Sequence, residues 1–133
     1  MKNMKNRIAF FLIGSLALFN FSCYYDQEID LSEPLPDIPV DQAISFRTDI
    51  EPIFSQSGKD CTVCHNGNVA NPDLRVGEAY RDIISLIVSG DAEGSEFYQK
   101  LPGNGHPINA GFTLDAADLA LIKEWIDRGA ENN

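Results

Sequence analysis

The stretch Cys61-Thr62-Val63-Cys64-His65 limits what this chain can fold into more than any other. Two thiols three positions apart, with an imidazole directly after the second, form the pattern to which a c-type haem is attached. The spacing has a chemical reason. One helical turn puts both sulfurs on the same side of the backbone, where each can form a thioether to a vinyl group of one porphyrin. The tether then holds His65 beneath the iron, where an imidazole nitrogen serves as the proximal ligand.

Three other readings draw on the same residues. A structural zinc site needs four ligands, and after Cys61, Cys64 and His65 only His106 and acidic residues remain, with no second CxxC or HxxxH pair. A thioredoxin-like dithiol belongs at a strand–helix junction in a βαβ pattern, and no convincing strand is visible around residue 61. Two ordinary buried thiols beside a chance histidine complete the set. The fixed histidine position favours the haem.

The N-terminus bears on this choice. Met1 to Arg7 is short and basic, and an apolar run from Ile8 to Phe21 follows, too short for a comfortable membrane span but ordered as a secretory signal is. The run ends at Ser22-Cys23. A small residue before a lone cysteine resembles the lipobox of bacterial lipoproteins, in which the cysteine is acylated and becomes the new N-terminus; Asn20 stands where that motif usually has Leu. The three cysteines are then all accounted for, two by haem and Cys23 by lipid, with none left for a disulfide. Haem is attached to CxxCH outside the cytoplasm, so the export signal and the haem motif predict each other.

Removal of residues 1–22 leaves 111 residues, one domain whose core is adequate if a haem adds apolar surface. It also removes Lys2, Lys5 and Arg7 but no acid. The balance of 10 basic against 20 acidic residues becomes 7 against 20, a formal charge of −13. Such a surface argues against nucleic acid or an anionic membrane surface as a partner and favours a basic docking face on a redox partner protein, or serves solubility alone.

Residues 23–44 read as an acidic tether with Pro34, Pro36 and Pro39 and no sustained apolar period. The folded domain is expected over 45–133. Thr48 or Asp49 can cap a first helix with Pro52 in its first turn and Ile50, Ile53 and Phe54 on one face. Gly58-Lys59-Asp60 ends it. A second helix is expected from about Glu78 to Ser89 with Ala79, Ile83, Leu86 and Ile87 on its apolar face, closed by Gly90. Ser95 opens a short third helix carrying Phe97, Tyr98 and Leu101. After a Gly- and Pro-rich loop from Leu101 to Phe112, Thr113 caps a last helix that Gly129 stops, with Leu114, Ala117, Leu121, Ile122, Trp125 and Ile126 as its stripe. The expected fold is all-α, about four short helices around one covalently bound haem.

On these residues the chain resembles the class I cytochrome c superfamily and, more closely, the small cytochrome c domains borne on bacterial lipoproteins and related to the planctomycete-type domain. Asp49-Ile50-Glu51-Pro52-Ile53-Phe54, the CxxCH motif, Asn71-Pro72-Asp73-Leu74, Ser95-Glu96-Phe97-Tyr98 and Leu121 through Ala130 carry the likeness, which covers about Phe46 to Asn133. It implies that the first and last helices cross, with Ile50, Phe54, Leu121 and Trp125 at the contact. It also implies that the carbonyl of Pro72 accepts a hydrogen bond from His65 and that Leu74 packs on the haem; Asn71 stands where the family has Gly. An ordinary surface turn is the alternative for this segment. The family takes a methionine from the loop before the last helix as its second iron ligand. This chain has only Met1 and Met4, and in that loop it carries His106-Pro107-Ile108-Asn109. Either His106 takes the distal position, or that position is open to a small gas or peroxide, as in a sensor or minimal peroxidase.

The expected function is one-electron transfer by a single haem c in an exported, membrane-anchored lipoprotein facing the periplasm or cell surface. No catalytic residue and no small-molecule substrate are expected.

Overall fold

The computed structural model describes residues 34–133. The expected export segment 1–22, the lipidation site Cys23 and the tether up to Glu33 lie outside the described residues.

Local chemistry decides where each element begins. Ser45, in extended backbone, accepts the Thr48 N–H on its hydroxyl, while Asp49 reaches back to the Ser45 N–H at 2.7 Å. The cap is therefore Ser45, not Thr48 or Asp49, and Asp49 satisfies the cap's own amide. The first segment is irregular: a wide π-helical turn over Phe46–Ile50 tightens into a 3-10 turn over Glu51–Phe54. Pro52 lies in the tight turn and has no N–H to return to the wide one.

A two-residue hairpin follows, an addition to the helices expected. Strands β1 (Ser55–Gln56) and β2 (Lys59–Asp60) pair antiparallel, Ser55 opposite Asp60 and Gln56 opposite Lys59, around Gly58 in the left-handed region at φ 81°. β2 leads directly into the 3-10 turn Cys61–Val63, which Asp60 caps through the Thr62 N–H at 2.9 Å. Helix α1 spans only Ala79–Ile83 before tightening over Ile84–Leu86. It stops short of Ser89 because its next amides find other acceptors: Val88 N–H donates to the Ser95 hydroxyl and Gly90 N–H to the Ile126 carbonyl. Ser95 does stand at the N-cap of α2 (Glu96–Gln99), but its fully buried hydroxyl serves Val88 and Asp91 instead of the helix.

The longest helix, α3, spans Ala116–Asp127. Its N-cap is Asp115, two residues later than expected, since Leu114 N–H is taken by the Pro102 carbonyl at the base of the preceding loop. Its buried face is Leu119, Ala120, Ile122, Trp125 and Ile126; Ala117 is exposed and Leu121 half-buried, so the stripe is rotated from the one read in the sequence.

The core lies where α3 meets the first segment. Phe46, Tyr80 and Trp125 form an aromatic trio, with Phe46 at 5.2 Å from both other rings, and Phe54 meets Phe97 edge-on at 5.9 Å. Contacts of this kind add about 0.5–1.5 kcal/mol each beyond burial. The polar ends of the trio are satisfied, Tyr80 by the Ala130 carbonyl and Trp125 by that of Glu131.

The compact unit spans Pro34–Asn133 rather than beginning at Ser45. Ile44 is buried in the core and Leu35 and Ile38 pack against it. Arg128 holds the stretch down, donating one guanidinium N–H group to the Gln42 carbonyl and another to that of Pro39. The second half of the expected tether is therefore part of the domain. No helix among the described residues is long and apolar enough to cross a membrane.

Candidate functional site: the Cys61–His65 turn and the His106 loop

The Cys61 carbonyl accepts both the Cys64 N–H at 3.2 Å and the His65 N–H at 2.8 Å, so the five motif residues complete one turn. The two thiols differ in setting. Cys64 is exposed, whereas Cys61 is half-buried against the core. Burial, reinforced by the Asp60 carboxylate, pushes the Cys61 thiol up to about 11. At neutral pH it is thus a neutral S–H. Among the described residues, no three His, Cys, Asp or Glu side chains converge to hold a metal ion. The closed zinc site considered from the sequence has no ligand set there.

His65 is fixed from two directions by the segment after it. Its Nδ1 lies 3.1 Å from the Pro72 carbonyl oxygen, and its own carbonyl accepts the Leu74 N–H at 2.9 Å. A carbonyl can only accept, so Nδ1 carries the proton and the lone pair of the neutral ring is on Nε2. A second bracing layer holds that segment. Asp73 N–H donates to Asp82 of α1, the Arg75 guanidinium holds the buried Asp73 carboxylate at 2.6 Å, and Gly77 N–H donates to buried Glu51 at 2.7 Å. Arg75, by direct hydrogen bonding, keeps the Asp73 carboxyl below the usual carboxylate range. Leu74 is buried with the core. The Asn71–Pro72 peptide is cis.

The second histidine is brought to the first by α3. Lys59 of β2 pairs with Asp115 at 2.6 Å, and Gln56 of β1 donates to Asp118, tying the hairpin that leads into the motif to the start of the helix that ends the His106 loop. At its other end the loop is pressed on α2. Asn104 donates to the Tyr98 carbonyl, and a Cβ at Gly105 would stand 2.8 Å from the Gln99 carbonyl oxygen. His106 is half-buried, its ring centre 6.1 Å from that of His65 and its plane turned by 81°. Its Nδ1 lies 2.7 Å from the Ile108 carbonyl oxygen, which again leaves the lone pair on Nε2.

Three aliphatic side chains on these segments stand largely in water: Val63 at 68% exposure, Val69 at 72% and Ile108 at 66%. The sequence pointed to both histidines and to Pro72. It did not point to Ile108 as an acceptor or to the Lys59–Asp115 and Gln56–Asp118 ties; the acids opening α3 were the only signal for the latter. Comparison of the chain with protein families, with curated proteins and with solved structures finds no match.

Proposed function

We propose that this protein is a single-haem c-type cytochrome that carries one electron at a time between partner proteins. The observation that supports the reading best is the hydrogen bond between His65 and the Pro72 carbonyl, in a motif whose thiols are three residues apart. A histidine that ligates a metal nearly always donates its other ring N–H to a carbonyl or carboxylate, which orients the ring and raises its basicity. His65 has that partner at 3.1 Å.

The residues fit the group. Cys61 and Cys64 would hold it through thioethers, each S–H adding across a vinyl C=C so that sulfur bonds one carbon and hydrogen the other, with no net change in oxidation state. His65 Nε2 would be the proximal iron ligand. The bound haem supplies the Fe(III)/Fe(II) couple. The chain's own contribution is to fix the imidazole, keep Leu74 and the core dry behind it, and present an acidic surface to a basic partner. Export and lipid anchoring at Cys23 belong to the same reading and rest on the sequence.

The test is the full chain expressed in a host that exports it and attaches haem c. Intact mass should rise by one haem, and a potentiometric titration should follow a one-electron curve. The pair Cys61→Ala/Cys64→Ala should lose the added mass. An exported wild-type chain with no added haem under those conditions sinks the reading.

A further inference from the structure

Resting on the haem reading above, we infer that His106 Nε2 is the second axial ligand of the same iron, held in place by the Ile108 carbonyl. The site is thereby closed by two imidazoles, not by a thioether or by solvent.

Four observations carry this. The first is distance. Two imidazoles on opposite sides of one metal, each with a metal–nitrogen bond of about 2 Å and a ring centre about 1.2 Å further on, have centres about 6.4 Å apart. His65 and His106 are at 6.1 Å. The second is protonation. Both rings have Nδ1 committed to a backbone carbonyl, at 3.1 Å for His65 and 2.7 Å for His106, so both present Nε2 as the free donor. A metal-ligating histidine generally has that arrangement. The third is support. The loop reaches His65 through fixed points on either side, Gly105 against the Gln99 carbonyl and Asp115 against Lys59. The fourth is supply: the chain's two methionines are Met1 and Met4, and neither lies in this loop.

The arrangement has consequences for the protein's behaviour. Two imidazoles favour Fe(III) more than an imidazole and a thioether do, so the reduction potential lies below that of a His/Met site. A closed distal position leaves no place for a small gas or peroxide. Ring planes near 81° to one another, kept in the loaded protein, give a strongly anisotropic low-spin ferric signal with one dominant feature at low field, in place of the resolved rhombic triplet of parallel planes.

The full chain loaded with haem, its added mass confirmed, is examined by visible and electron paramagnetic resonance spectroscopy. Wild type should be low-spin when ferric and should not take up CO when ferrous. His106→Ala should be high-spin, bind CO on reduction, and return to low-spin when imidazole is added. His106→Met keeps a second ligand in the loop, so it should remain low-spin with a higher potential. A high-spin wild type, or a His106→Ala spectrum unchanged while the haem mass is present, overturns the assignment and leaves the covalent haem standing. A separate arm does not need attachment: Cys61→Ala/Cys64→Ala titrated with free hemin should give a low-spin spectrum that is lost when His106→Ala is added. If the wild type acquires no haem mass and this arm gives no low-spin species, both readings fall.

Discussion

The two histidines sit in segments built differently. The segment that holds His65 is locked into the body of the protein. Leu74 is in the core, Asp73 N–H reaches α1, and Gly77 N–H reaches Glu51 in the first helical segment. The His106 loop is fixed at its base, by Leu114 N–H on the Pro102 carbonyl and Asn104 on the Tyr98 carbonyl, but among the described residues the hydrogen bonds at its tip stay within the loop. His106 leans on Ile108, and Gly111 N–H on Asn109. One imidazole is positioned by the fold, the other by a turn. A segment with few buried contacts and exposed local hydrogen bonds opens at lower free energy than one tied into the core. A site made from one of each can hold the His65 side constant while the His106 side varies.

The largest effect should come from removing the anchor of the His65 side. Leu74 is 5% exposed, and truncating a buried leucine to alanine costs about 2–5 kcal/mol, depending on how far the site collapses. In Leu74→Ala the midpoint of urea unfolding, followed by Trp125 fluorescence, should fall accordingly. Because the amide at position 74 also holds the His65 carbonyl, its hydrogen exchange should be faster in the variant than in the wild type. A loss below about 0.5 kcal/mol, the range of ordinary surface changes, would place this segment on the same footing as the His106 loop.

The same contrast explains what the sequence could disclose. The motif was legible because its geometry is local: three residues and one turn decide where two sulfurs and an imidazole go. Pro72 was legible only through the family likeness, since its carbonyl lies seven residues from the ring it meets. That His106 comes within 6.1 Å of His65 follows from the Lys59–Asp115 and Gln56–Asp118 ties, which join segments with no common period to reveal them. Residues 34–44 misled for a related reason. Their prolines and acids describe an extended chain well enough, but extension does not prevent docking, and the hold comes from Arg128 far along the sequence. The short form of α1 depended on the Ser95 hydroxyl taking Val88 N–H, an acceptor that no propensity scale sees.

A smaller effect, again confined to the His65 side, should appear in acid. The Asp73 carboxyl is held below its ordinary value, chiefly by its hydrogen bonds with Arg75. Its pairing therefore stabilises the fold above the unfolded-state value, about 3.9, and that contribution is lost as pH falls through the lower folded-state value. The size is modest, since Arg75 is half in water. Thermal unfolding of the full chain measured from pH 5 downward should lose stability in this window, and Arg75→Ala should lose less across it. Parallel curves for the two proteins would mean that the ion pair does not contribute to holding the segment.

The smallest effect should be found at the tip of the other loop. Ile108 is 66% exposed, and the atom that matters to His106 is its backbone carbonyl, which alanine supplies equally well. Ile108→Ala should therefore change the unfolding free energy of the haem-free chain by no more than about 0.5 kcal/mol. On the proposed haem reading, the loaded variant should keep the low-spin spectrum, because the ring's partner is unchanged. A loss comparable to that of Leu74→Ala in the haem-free chain would show that the Ile108 side chain, not the turn, holds the loop, and the two histidines would then be positioned by the same means. A loss seen only after haem is attached would instead locate the side chain under the macrocycle, making the difference between the two sides a property of the empty fold that loading removes.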